Sequence, residues 1–426
     1  MPFLFLILTL FISSFSALAQ DDRQVVPADN VYEEKIKSVK FHLEGLPLSY
    51  PVIELRSGSQ LLLSFDDLDQ EVDSKNYTYT LIHCDADWTP SDLSEMEYLD
   101  GFSEDLIRDF DFSFNTRTLY THYRLTLPNR NVNWTKSGNY LLMVYEDEEE
   151  KRLVITRRFM VVEPVFKVDT RLTNTAMVGK SRTHQEIDFT VFHQGIDIRN
   201  PMLEVRATVL QNGRWDNAKV NLKPKFLRSD NLLFDYQDEI VFPAGKEFRF
   251  LDIRSMEVMV DKIADIRRYP DRWEVTVMRE RSRRRAPYLF EADINGNFII
   301  ETRDRNNNNN ALESEYANVF FTLDVNEPLF DRDVYLFGGM TDWKLKPEYK
   351  MVYNDINTSY VGRVLLKQGF YNYTYVAVDP DNEIDEELLE GNWFEAENEY
   401  IILVYYRPFG QRYDRLVAAR TISSNG

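Results

Sequence analysis

Cysteine is almost missing from this chain. A single residue, Cys84, excludes any internal disulfide and any cysteine-built metal site, so the fold must be held by packing. Glycine and proline are scarce as well, sixteen of each in 426 residues, which excludes an extended low-complexity polymer. Basic residues fall short of acidic ones: 50 Lys and Arg face 70 Asp and Glu, and the formal charge of −20 opposes approach to phosphate backbones and anionic head groups. Nucleic acid is therefore not expected as a partner. Beyond the N-terminal segment no uninterrupted apolar run reaches eighteen residues, so no direct membrane insertion is expected. There is no GxSxG, no P-loop and no GxGxxG fingerprint, which leaves hydrolase and nucleotide-binding readings without a motif.

What the chain has is aromatic residues in short alternating runs, 24 Tyr and 28 Phe among them, and these favour strands. An all-β fold follows. Residues 1–19 carry an apolar run, Phe3 to Ile12, and end in Ala17-Leu18-Ala19, which fits a cleavable secretory signal peptide, although no Lys or Arg precedes the run.

Strands are expected where alternation is clear, among them Leu61 to Phe65, Tyr77 to Cys84, Tyr120 to Leu127, Tyr140 to Tyr145, Ile187 to Phe192 and Trp273 to Val277. Their spacing predicts three consecutive immunoglobulin-like β-sandwich domains, at residues 31–163, 165–325 and 328–418, divided at Val162-Glu163-Pro164 and Glu327-Pro328. Within the first, residues 85–119 form a long excursion between two strands, too long for an ordinary connection. Asn212-Gly213 and Asn295-Gly296 read as turns. Glu146 to Glu150 reads as an exposed hairpin tip, Asn306 to Asn310 as a mobile loop, and the Arg279 to Arg285 cluster as a solvated face.

Few residues suggest chemistry. Asp85 and Asp87, two apart, are candidates for a cation site or an acid/base pair, but Asx-turn bonding explains them more simply. His83 and His122 flank the excursion without ligand spacing, and Cys84 sits in a strand as an inert thiol. No catalytic residue, metal or cofactor is expected, and the protein is not expected to be an enzyme.

HCDADWTPSDL with EYLDGF, then SFNTRTLYTHYRLTLPN, SGNYLLMVY, RNPMLEV, QNGRWDNA and FPAGKEFRF, resemble the plug protein of the type IX secretion system, a periplasmic family of the Bacteroidetes, over about Val31 to Ile266. The resemblance implies a plug at the inner face of the outer membrane. It would bind the periplasmic end of a giant β-barrel translocon and seal the pore when no cargo is being exported. Trp88, Tyr98 and Phe102, aromatic residues in a stretch that does not alternate, are the candidate partner-binding residues; covering the end of the first sandwich is the other use for them. The last domain resembles glycogen-binding modules through VYLFGGMTDW and GFYNYTY. That leaves an alternative, a secreted glycan-binding protein using Trp343 and Trp393, with Thr374 departing from the Lys such modules carry.

Overall fold

The computed structural model describes residues 26–69, 74–146, 151–193, 195–304 and 309–425. The expected signal peptide, residues 147–150 of the acidic tip and residues 305–308 lie outside that set. The fold is all-β, built from several packed sheets.

The first unit, residues 30–163, is a pair of sheets. In one, Arg152–Val162, Gly138–Glu146 and Tyr77–Cys84 lie side by side and antiparallel. In the other, Ile36–Leu43, Leu61–Asp67, Thr121–Leu127 and Asp109–Phe112 run in that order. Alternation sends Leu61, Leu63 and Phe65 into the space between them, where they meet Tyr77, Tyr123 and Phe159. Phe65 stacks on Tyr123 at 5.1 Å while Tyr77 meets both edge-on.

The expected boundary at 325 to 328 is not followed by the strand pairing. Glu399–Tyr406 and Arg415–Ser423, from the C-terminal end, complete a sheet begun by Val205–Gln211. Residues 249–390 form an insert between these halves of the second unit, organised on one eleven-stranded sheet with its own core. The run Tyr400 to Tyr406 gives the physical reason. Tyr400, Ile402 and Val404 enter the core of the second unit, while Ile401, Leu403 and Tyr405 join Leu141, Met143 and Met160 of the first. A strand apolar on both faces needs cover on both, and the central place in that sheet supplies it.

The three units therefore pack on one another rather than stand in series. The seam between the first and second is apolar, because a shared cluster of buried side chains crosses it. The seam to the third is mainly polar: each of the other apolar clusters stays within one unit, although Tyr120 meets Tyr316 edge-on across it at 5.5 Å.

Two local expectations are corrected. Glu146 is buried at the end of its strand, where Lys75 lies 3.4 Å away and Arg152 pairs with it, so it is no exposed tip. Asn310 opens a short helix, Asn310–Glu313, and its side chain accepts the Thr302 amide. In the arginine cluster, Arg279 pairs with Asp324 and Arg283 with Glu390.

Candidate partner-binding surface

The excursion is ordered throughout, and it begins with a clamp. Asp85 to Thr89 folds into a turn in which Trp88 takes a positive φ of 68°. The Asp85 carboxylate pairs with Arg407 and accepts the Asp414 amide, while Asp414 in turn accepts the Ala86 amide. Asp87 accepts both the amide and the hydroxyl of Thr89. Burial pushes the Asp87 carboxyl up, but the Thr89 bonds outweigh it and leave it below its ordinary value. Both carboxylates are thus occupied within the chain. Among the described residues no three potential ligands gather around a metal-sized space.

Trp88 and Tyr98 require correction as contact residues. Trp88 is 6% exposed and meets Trp215 edge-on at 5.1 Å, with the Arg158 guanidinium over both rings. Asp29 holds Arg158 there through a 2.8 Å pair. Trp88 therefore fastens the first unit to the second. Tyr98 ends the short helix Glu95–Tyr98, whose start is fixed by Glu97 accepting from the Ser94 amide and hydroxyl. Its ring turns into the first core, and its hydroxyl donates to the Leu81 carbonyl.

His83 and Cys84 are structural. A carbonyl can only accept, so His83 donates from Nε2 to Ser137 and receives the Ser91 hydroxyl at Nδ1. Burial pulls its pKa down to about 4. Burial pushes the Cys84 thiol up to about 12, which makes it inert.

The rest of the excursion builds edges. Leu99–Gly101 pairs with Val132–Trp134, Glu104–Leu106 adds the last strand to one sheet of the first unit, and Asp109–Phe112 adds the last strand to the other. Asp109 and Asp111 face one way and share Arg124; Phe110 and Phe112 face the other and touch at 6.0 Å. Phe110 leans on Tyr123, but Phe112 is 54% exposed, Phe114 62% and Phe102 60%. Leu119 is exposed on the same hairpin. A free strand edge carrying exposed phenyl rings is the kind of surface that soluble proteins keep for a partner. Of the three aromatic residues singled out in the sequence, Phe102 is exposed, but beside Glu104–Leu106, the edge strand of the other sheet; Phe112 and Phe114 were missed, although their i, i+2 spacing in DFDFSF was visible.

Trp343 and Trp393 each pack against side chains of this chain. Arg214 lies over the Trp343 ring at 4.7 Å, and Phe248 and Phe337 meet its edges. The Trp393 amide donates to Gly245, and its ring lies beside Tyr288 and Lys246. Thr374 is buried.

Charged groups missed in the sequence meet where the first and third units touch. Asp66, fully buried, accepts from Lys367 at 2.6 Å, from the Tyr316 hydroxyl at 2.7 Å and from His122 Nδ1 at 2.6 Å. Lys367 also donates to the Ala311 carbonyl and lies 4.0 Å from the Tyr120 ring centre. A bulge in Ile36–Leu43 puts Ser38 at a positive φ of 52°, and its hydroxyl bonds Tyr316. Burial pushes the Asp66 carboxyl up, but Lys367 and His122 outweigh it and hold it below its ordinary value.

These features define a class: an all-β body of mutually packed sheets with exposed aromatic residues at the edge strands of its first unit. Residues 36–163 match the family model described as the first domain of the type 9 secretion system plug protein. A crystal structure of a hypothetical protein from Parabacteroides merdae ATCC 43184 is 34% identical, covers 94% of this chain and 100% of its own, and superposes with a TM-score of 0.89. No curated protein matches. The chain belongs to the type IX secretion system plug family. With that membership go a role in type IX secretion, association with its machinery and a place in the cell envelope. Among the described residues no helix is long and apolar enough to cross a membrane.

Proposed function

We propose that this protein sits in the periplasm at the inner face of the outer membrane, binds the periplasmic end of the translocon β-barrel, and closes its pore while no cargo passes. The observation that carries this reading is the pair of edge strands of the first unit, with Phe102 beside one and Phe112 and Phe114 at the other, all exposed within the stretch that matches the plug family. A water-filled pore leaks solutes unless a folded body covers it, and obstruction requires a stiff surface rather than turnover. A stable seal buries roughly 1,200 Å² or more, with aromatic anchors inside a polar rim. Here the rim is Asp105 with Arg108 and Asp109 and Asp111 with Arg124. Such a rim suits a contact that must separate when cargo arrives.

The test is a chain carrying Phe102→Ser, Phe112→Ser and Phe114→Ser together, expressed in place of the natural protein. Co-purification with the barrel should fall at least tenfold, and the envelope should admit small solutes that it otherwise excludes. Full retention of the barrel by the triple variant would remove these edges from the contact.

A further inference from the structure

The third unit joins the rest of the chain at two crossings, at residues 244–248 and 391–398, and these lie side by side. The Gly245 amide donates to the Asn392 side chain at 2.8 Å, and the Trp393 amide donates to the Gly245 carbonyl at 2.8 Å. Each crossing holds a glycine in the left-handed region, Gly245 at φ 69° and Gly391 at φ 81°. Two adjacent crossings define an axis, and glycine tolerates the dihedral changes that rotation about it requires. Both glycines line a cleft of about 520 Å³ between the second and third units.

Besides the crossings themselves, charge and hydrogen bonding dominate the contacts that hold the third unit. Arg214 of the second unit pairs with Glu386 at 2.7 Å. Arg157 of the first meets Asp342 at 3.1 Å, and Lys40 donates to the Phe298 carbonyl at 2.9 Å. At the centre stands the buried Asp66 and Lys367 pair. Buried ion pairs contribute little net stability, because separation returns both charges to water, yet loss of one partner strands the other. The apolar seam between the first and second units has no such route to water.

We propose that the third unit is a hinged flap that turns about the paired crossings at Gly245 and Gly391 and is latched against the first unit by Asp66 and Lys367. The motion belongs to the chain itself, whatever partner the edge strands meet.

Pulsed dipolar spectroscopy on the full chain tests it. Spin labels at Glu44→Cys in the first unit and Ile356→Cys in the third report the flap; labels at Glu44→Cys and Arg171→Cys report the first unit against the second. Cys84 is buried and does not compete for label. In Asp66→Asn the population at longer flap distances should rise at least tenfold over the parent, while the control pair keeps its distance. Asp66→Leu with Lys367→Met, which replaces the pair by apolar side chains, should return the flap to one short distance. An unchanged flap distance in Asp66→Asn would overturn the proposal, and so would a control pair that broadens to the same degree, since that is general loosening rather than a hinge.

Discussion

At the scale of single residues, burial decides the role. Burial holds His83 neutral inside the first unit, with its pKa pulled down to about 4, whereas the same residue in the unfolded chain keeps its ordinary value of 6.5. Between those values the unfolded state carries more protons, so stability falls as the pH drops through that window and the effect levels off below it. The penalty reaches roughly 3 kcal/mol by pH 4. Denaturant midpoints at pH 7 and pH 4.5 should show a smaller acid loss in His83→Gln than in the parent, by about 2 kcal/mol. Trp88 marks the opposite end from the exposed phenylalanines. Trp88→Ala should cost about 3–5 kcal/mol in a urea titration, because it empties a packed seam and leaves Arg158 with one ring fewer. Phe112→Ser should change the same midpoint by no more than about 0.5 kcal/mol. The sequence shows that Trp88 lies in a non-alternating stretch, but such a stretch does not reveal inside from outside. Asp66 was hidden for a related reason: on the strand Leu61–Asp67 it occupies the face opposite Leu63 and Phe65, where a charge ordinarily meets water, and here another unit covers it.

At the scale of elements, local pattern was a good guide to strands and a poor one to their partners. Tyr77–Cys84 has the ends that alternation predicts, and Asn212 and Gly213 take the positive φ values their pairing demands. The excursion was recognisable by length, yet its division into two sheet edges was not, because strands such as Asp109–Phe112 are four residues or fewer and exposed throughout. Arg124 ties that strand down by pairing with Asp109 and Asp111, all three on the surface. Arg124→Ala should lower the unfolding midpoint by less than about 1 kcal/mol, with hydrogen exchange rising at residues 109–112 and not in the strands behind them.

At the scale of the whole molecule, the partition of the chain was the least visible feature. A boundary at Glu327-Pro328 is reasonable from composition, since a proline after a strand ends it, but nothing local shows that residues 399–423 return to pair with Val205–Gln211. The apolar run from Tyr400 to Tyr406 was the available signal, because seven consecutive buried side chains do not suit the half-exposed strand of a separate last domain. Removal of residues 398–426 should therefore abolish the cooperative transition of the second unit and expose the Trp88 seam, seen as loss of near-ultraviolet circular dichroism and early protease cleavage after residue 163. A chain made of three successive domains would lose little beyond the last.

Synthesis proceeds from the amino end, and this places a clock on the second unit. Its sheet stays half-built, with the edge of Val205–Gln211 uncovered, until nearly two hundred further residues have been made. The nascent polypeptide thus keeps its second unit incompletely folded until residues 399–423 have emerged.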